Sequence, residues 1–533
     1  MAKRCTSNHP CGGGMQNGLF NPFFGLNQGS SLGIEIEVIW VIGDSHATKR
    51  NVPGGPGPTP AANTVYQWDV TNSNLYQIGS TDILQSGSSS TWGSIFPRYG
   101  IDRNADSGRM VVFVCSGIGG SNYSPRTGDT GDWTDADTLW STAKANFDSC
   151  ISYLNSHYPN AILYKKAKVI MGVNDIRGIA GGQSTQSTVL IDITAFYTRF
   201  ESSYPGMEIS IVLPGRSENG ITLAAHSIVR NALINEARAR TNVHIACTEA
   251  PFASAGYYDT DNLHLVQDGN NALGSMMAKW DKSTAYSKWA RPIIASHFDD
   301  LSSIRKDLIN SFVATLGSYL FELEYLYIFK NTIQNNIYNS WCLLSAAYSP
   351  NLGGSFSYNA NDSIGTNGTS NYILTGHLAD NNNVHATATD FFDGVKIKTN
   401  RSAAGVTKVA IGVGSATSQD VVGQTNSNTV YARANDLTTT SSGADTKLQD
   451  DTFYAAYRTG TTKGLWKNTS SLVSATQAMV SSINRNKPVG CLDNNGTYGN
   501  FIDADFLYAV GGKYSTMDMS VLYNALETLT DSW

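Results

Sequence analysis

The sequence predicts an α/β domain built on a parallel sheet, followed by an all-β sandwich, and three observations carry this. Between residues 34 and 283, apolar runs at 36–42, 110–115, 167–171, 208–213 and 243–247 alternate with helix-period segments at about 138–157, 190–204, 224–240 and 267–282. Strand–helix alternation is the pattern of a parallel sheet covered on both faces. From about residue 331 the helical period largely disappears, and short alternating stretches such as YILTGHL, GVKIKT, KVAIGVG and TFYAAYRTG are separated by Asn, Gly, Ser and Thr clusters, which is the pattern of an antiparallel sandwich. A glycine count of 50 in 533 residues favours loops and β-structure over helix bundles.

In chain order, residues 1–33 read as an irregular, Gly- and Asn-rich arm carrying Phe20, Phe23 and Phe24. It is either a disordered tail or an anchor whose aromatics dock on another protein. Residues 34–283 form the α/β domain. The first strand ends in GDSH, a small polar triplet with a histidine behind it. Residues 51–109 interrupt the rhythm: NVPGGPGPTP excludes regular structure, and TWGSIFPRYGIDR (91–103) looks like a short helix before the second strand. An insertion after the first strand lies over the strand's carboxyl edge, a candidate substrate wall. The segment 138–157 sets Leu139, Ala143, Phe147, Cys150, Ile151 and Leu154 on one stripe. Residues 284–330 form a connector, with Leu301, Ile304, Leu308, Phe312, Leu316, Leu320 and Leu323 at helical steps and a break near Gly317. That stripe either packs on the neighbouring domains or forms a coiled coil in a homo-oligomer, with a trimer as the guess. Residues 331–533 form the sandwich, closing with a helix over 515–529 capped by Ser515.

Composition narrows the function classes. Net charge is −6 with no evident basic patch, so a nucleic-acid partner is not expected. No run approaches the ~18–20 apolar residues of a membrane span, and the N-terminus has no apolar stretch of signal-peptide length. The seven cysteines (Cys5, Cys11, Cys115, Cys150, Cys247, Cys342 and Cys491) are scattered and odd in number. They read as mostly reduced; Cys5 and Cys11 are close enough to pair or bind metal, but one pair is weak evidence for zinc. No metal site and no cofactor are expected.

Polar groups fall where strands end. Ser45 follows the first strand, SGIGGSN (116–122) the second, GVND (172–175) the third, and DTDNLH (259–264) the last. In a parallel sheet these carboxyl edges are neighbours, and sites form there. Each group has a use in acyl transfer. A serine hydroxyl needs a base, which His264 supplies; Asp261, three residues earlier, holds the imidazole tautomer. Negative charge on the carbonyl oxygen needs donors already aimed at it: the Ser45 N–H, the Gly120 N–H and the Asn174 amide. Losing one such donor typically costs ~2.7–4 kcal/mol of transition-state stabilisation. A histidine base implies a rate that rises through a pKa near ~6–7. Asp44 and Asp175 read as carboxylates that accept backbone N–H groups and fix turns, and His46 as either a substrate contact or a helix-start packing residue.

These blocks, IGDSH with Ser45, GIGGSN with Gly120, MGVND with Asn174 and DTDNLH with Asp261 and His264, resemble the SGNH (GDSL-type) hydrolase superfamily over about residues 34–283. The resemblance implies a flavodoxin-like three-layer α/β/α domain that hydrolyses esters, very often acetyl groups on sugars. TWGSIFPRYG and GIGGSN are similar to the carbohydrate and sialate O-acetylesterase branch. YLYIFKNTIQ, YAAYRTGTTKGLWKN and FLYAVGGKYSTMDMSVLYNALETL resemble a concanavalin-like (laminin-G-like) jelly-roll sandwich of the kind found at the ends of phage tail proteins. That resemblance implies glycan binding or a stabilising role.

The leading expectation is a serine esterase that removes O-acetyl groups from a cell-surface polysaccharide. It would belong to a phage virion, assembled in the host cytoplasm and joined to other virion proteins through residues 1–33. Two alternatives stand beside it: a catalytically idle glycan-binding adhesin or virion decoration protein, and a secreted or cell-surface bacterial carbohydrate esterase.

Overall fold

A computed structural model describes residues 33–48, 50–51, 57–78, 92–134, 138–215, 223–252, 255–261, 263–331, 351–353, 356–360, 362–378, 386–415, 418–442, 445–480, 486–494 and 497–533. The arm over 1–33 and its three phenylalanines therefore lie almost wholly outside the described residues, as do Cys5, Cys11 and Cys342.

Seven strands form the first sheet: β1 (Glu35–Gly43), β2 (Val65–Asp69), β3 (Asn74–Gln77), β4 (Met110–Gly117), β5 (Ile162–Ile170), β6 (Glu208–Leu213) and β7 (Val243–Thr248), in the order β3-β2-β4-β1-β5-β6-β7. All neighbours run parallel except β2 and β3, which form a hairpin. β1 lies centrally, in register from Ile36↔Met110 to Gly43↔Gly117 on one side and from Glu35↔Ile162 to Gly43↔Ile170 on the other. Six helices belong to this unit: α1 (Phe96–Ser107), α2 (Leu139–His157), α3 (Val173–Ala180), α4 (Gln186–Ser203), α5 (Leu223–Ala239) and α6 (Gln267–Lys282). Successive β1 side chains feed two separate cores, as the period of two requires. Ile36, Val38, Trp40 and Ile42 pack with residues of α2, α4 and α5, while Ile39 and Val41 pack with residues of α1 and α6. Both faces are covered, which is why β1 is apolar nearly throughout.

Several expectations are corrected. Residues 65–77, read as part of an insertion outside the strand rhythm, add β2 and β3 to the sheet. β2 buries Val65, Tyr66 and Trp68, and its neighbours in the sequence, Pro- and Gly-rich, hide it. β5 begins at Ile162, five residues before the apolar run. Lys165 is exposed, but the other two lysines are paired: Lys166 lies 3.0 Å from Glu37 and from Asp281, and the buried Lys168 lies 2.9 Å from Asp281. α3 was not expected, and α4 starts earlier than predicted because Thr185 caps it, accepting from the Thr188 N–H.

The connector is helical only in part. α7 (Ala290–Ala295) and α8 (Ser303–Leu316) are followed by a short 3₁₀ turn, Gly317–Phe321, and then by a strand, Leu323–Ile328. That strand pairs antiparallel with Ala504–Gly512, so Leu323 belongs to the β region and not to the helical stripe. The last helix, α9 (Met519–Ser532), is capped by Asp518, which accepts from the Ser520 and Val521 N–H groups. Ser515, the expected cap, instead donates to the Asp390 carboxylate, from its N–H at 2.8 Å and from its hydroxyl at 2.5 Å. The α8 stripe of Ile309, Phe312, Val313 and Leu316 is buried in one cluster with Met519, Leu522, Leu526 and Leu529 of α9, while Ile304 of the expected stripe is exposed.

Apart from a short antiparallel pair, Arg50–Asn51 with Trp92–Gly93, the remaining described strands form two large, mainly antiparallel sheets. One contains Asp390–Asn400, Thr452–Thr459 and Ala504–Gly512; the other contains Tyr372–Leu378, Lys408–Gly414, Gln419–Gln424 and Val430–Asp436. They share a core in which Val395, Ile397, Tyr454 and Phe506 from the first meet Ile373, Ile411, Val422 and Ala432 from the second. The first sheet's other face, with Phe392, Phe453, Tyr508 and Val510, is covered by α8 and α9 in a cluster continuous with the α/β core.

Candidate functional site

Ser45 stands at the carboxyl end of the central strand, in a single 3₁₀ turn, Ser45–Ala47. The turn is pinned locally. Asp44 Oδ1 accepts the His46 N–H at 3.0 Å, the Asp44 N–H donates to the Ile170 carbonyl at 3.1 Å, and the Thr48 hydroxyl donates to the Ser45 carbonyl at 3.0 Å. Close approach demands glycine on both sides. A Cβ on Gly43 would lie 1.9 Å from the Ile170 carbonyl oxygen, and one on Gly117 would lie 2.6 Å from that of Ala47. The turn thus sinks between the ends of β4 and β5 and leaves Ser45 half-buried.

The loop after β4 is tied to the same place. The Ile118 N–H and the Ser121 hydroxyl donate to the Gly43 carbonyl at 2.9 and 3.2 Å. The Tyr123 and Ser124 N–H groups each donate to the Asp175 carboxylate at 3.1 Å, and burial raises the Asp175 pKa to about 7 against the lowering effect of these bonds. Asn174 lies in the first turn of α3 and donates from Nδ2 to the Ser121 carbonyl at 3.1 Å, which spends one of its two amide hydrogens. Gly119 is the glycine beside the serine: a Cβ there would lie 3.9 Å from Ser45 Cβ, whereas one on Gly120, at φ 86°, would meet the Thr130 side chain. Among the described residues, the backbone N–H groups of Ser45 and Gly120 donate to no other protein group.

The loop between β7 and α6 brings the histidine. His264 Nε2 lies 2.9 Å from Ser45 Oγ, across 219 residues of sequence, and its Nδ1 lies 2.6 Å from Asp261 Oδ2. The other Asp261 oxygen accepts the Leu263 and His264 N–H groups, each at 3.0 Å. Burial alone would raise the Asp261 pKa, but the backbone and ring of His264 and the Leu263 N–H outweigh it and hold it at about 2. An ionised carboxylate on Nδ1 leaves Nε2 as the acceptor facing the hydroxyl, the arrangement in which a serine proton can leave.

Of the two roles expected of His46, its burial in the short helix that starts at Ser45 is that of a packing residue. Its Nδ1 lies 3.0 Å from Glu249 Oε1 and its Nε2 2.9 Å from the Leu263 carbonyl. Glu249, just past β7, was not singled out from sequence; an acid immediately after a strand, at the sheet's carboxyl edge, was the available signal. The described cysteines Cys115, Cys150, Cys247 and Cys491 are free, and burial pushes the thiols of Cys115 and Cys150 up to about 12. Among the described residues, no group of His, Cys, Asp and Glu is arranged to hold a metal ion, and no helix is long and apolar enough to cross a membrane.

No protein-family model and no curated protein sequence matches this chain. Several solved structures resemble parts of it. A protein from Arabidopsis thaliana is 13% identical, with 45% of this chain and 94% of that chain covered at a TM-score of 0.32. Trypanosoma rangeli sialidase is 8% identical over 42% of this chain, at a TM-score of 0.30, and the alignment spans only 39% of the sialidase. Domain 4 of a GH43 extracellular arabinanase from Geobacillus stearothermophilus, solved with arabinotriose, is 11% identical, with 38% of this chain and 97% of that chain covered at a TM-score of 0.28. These are distant likenesses, each confined to part of the chain.

Proposed function

We propose that the protein is a serine ester hydrolase of the SGNH type, with a flavodoxin-like α/β/α catalytic domain, acting on O-acetyl groups of a surface polysaccharide. The single observation that carries the hydrolase reading is the chain from Ser45 Oγ to His264 Nε2 at 2.9 Å and from His264 Nδ1 to Asp261 at 2.6 Å. In this reading His264 takes the Ser45 proton as Oγ attacks the acyl carbonyl. The Ser45 and Gly120 N–H groups and the remaining Asn174 amide hydrogen receive the oxyanion. His264 then gives its proton to the departing sugar oxygen. Water, deprotonated by the same imidazole, releases acetate from the acylated serine and restores the hydroxyl. Asp261 stays ionised throughout and stabilises the imidazolium.

The sugar acetyl substrate, the sandwich as a glycan holder and the placement in a phage tail rest on the sequence resemblances alone. The test of the hydrolase reading is p-nitrophenyl acetate hydrolysis by the full chain and by Ser45→Ala. The expected loss is roughly 10³-fold or more in kcat; equal rates would instead favour the idle glycan-binding protein. Acetate release from O-acetylated polysaccharide, against de-acetylated controls, tests the substrate class. Co-purification with virus particles separates a virion protein from a free bacterial esterase.

A further inference from the structure

The polar cluster behind Ser45 has a charge state written into its geometry. Both ring nitrogens of His46 face acceptors: a carboxylate oxygen of Glu249 at 3.0 Å and a backbone carbonyl of Leu263 at 2.9 Å. The second Glu249 oxygen accepts the Gly215 N–H at 3.4 Å. A neutral imidazole carries one N–H and one lone pair. It satisfies one of these two oxygens and sets a lone pair against the other; an imidazolium satisfies both. The ionisable groups around the ring are Asp44 on its own turn, Glu249 and Tyr258 across from it, and the His264 ring 5.9 Å away. Burial pulls the His46 pKa down, but Glu249 first, then Asp44 and the Leu263 carbonyl, outweigh it and raise it to about 9.

The two ends of this contact lie in the catalytic machinery's supports. His46 is the residue after the nucleophile. Leu263 is the residue before the base, and its own N–H is held by Asp261. We propose that His46 is a positioning residue: a buried, doubly donating imidazolium that ties the nucleophile turn to the Asp261–His264 loop and to the end of β7, and so sets the Ser45–His264 separation. Its catalytic consequence rests on the hydrolase reading above; the strut itself does not. When the ring loses a proton, the one left stays on Nδ1 against the Glu249 carboxylate, and the bond to Leu263 is the one that breaks.

The experiment uses the full chain, with hydrogen exchange across 257–266 read relative to α2, and kcat and KM for p-nitrophenyl acetate, both from pH 7 to 10. In wild type, relative protection of 257–266 should fall at least 5-fold through pH 9; protection that stays flat overturns the strut. His46→Ala should show the loosened loop already at pH 7, with kcat at least 10-fold lower and KM within 2-fold. A folded His46→Ala with wild-type kcat and protection overturns the proposal. Glu249→Gln puts an amide donor on Nδ1, so a neutral ring keeps Nε2–H on Leu263 whatever the pH, and the alkaline transition should vanish; a transition that persists through pH 9 overturns it. If His46→Ala does not fold, the wild-type and Glu249→Gln profiles decide. If wild type and Ser45→Ala hydrolyse the ester equally, the hydrolase reading fails by itself, and the exchange data still decide the strut.

Discussion

Asp261 accepts from three hydrogen-bond donors at once: the His264 ring on one oxygen, and the backbone N–H groups of Leu263 and His264 on the other. It therefore shapes the loop and orients the base together. Its folded pKa of about 2 lies below the ordinary 3.8. A carboxylate lowered on folding contributes stability that is present above the ordinary value and lost as pH falls through the folded one, here between about pH 3.8 and 2. Asp261→Asn presents an amide where the ring needs an acceptor and sets the wrong tautomer. The expected result is a kcat lower by ~10²–10⁴-fold and a shallower acid limb in urea midpoints over that window. Wild-type kcat in the variant would remove Asp261 from the catalytic chain. At this scale Ser45, Asp261 and His264 were legible because each lies in a short motif at a strand end. Glu249 and Gly119 were not, because their partners, His46 and Ser45, lie far from them in sequence, and the meeting of β1, β4 and β7 ends creates those contacts.

The elements that carry the site are held by backbone proximity. At Gly43 even a methyl group would sit 1.9 Å from the Ile170 carbonyl oxygen, in the register where Gly43 pairs Ile170. Gly43→Ala must therefore displace the turn or spread β1 from β5. We expect a loss of about 1–3 kcal/mol in urea unfolding and, on the proposed hydrolase reading, a fall in p-nitrophenyl acetate hydrolysis larger than the loss of stability explains at 25 °C, where the variant remains folded. Unchanged stability and activity would show that the turn relaxes freely. The apolar runs located all five long strands, because burial on both faces leaves an unmistakable composition. They missed the start of β5, where Lys166 finds Glu37 and Asp281 only in the folded sheet. They also missed the β2–β3 hairpin, whose sheet neighbour, β4, comes some forty residues later.

Across the whole molecule, one apolar cluster runs from Trp40 and Phe200 in the α/β unit through Ile293, Ile309 and Phe312 to Leu526, Phe453 and Tyr508. The helix pair α8 and α9 is the bridge, and it is built from residues before and after the two-sheet unit. This continuity predicts coupled unfolding. Leu526→Ala, at a fully buried position, should cost about 2–5 kcal/mol and lower the melting of both units together in calorimetry. Two resolved transitions, with only one shifted, would mean that the units are energetically separate.

By itself the sequence determined where apolar strands alternate with helices, where alternation gives way to short β-segments, and which serine, aspartate and histidine stand at strand ends. These are local patterns, set by burial period and turn chemistry, and each is readable within a few residues. The tertiary structure decided that Ser45 and His264, 219 residues apart, lie 2.9 Å from each other, that His46 faces two acceptors, and that the amphipathic α8 is covered by its own C-terminus. Those outcomes depend on strand order and on which distant groups share a buried space, and a linear pattern carries no record of either.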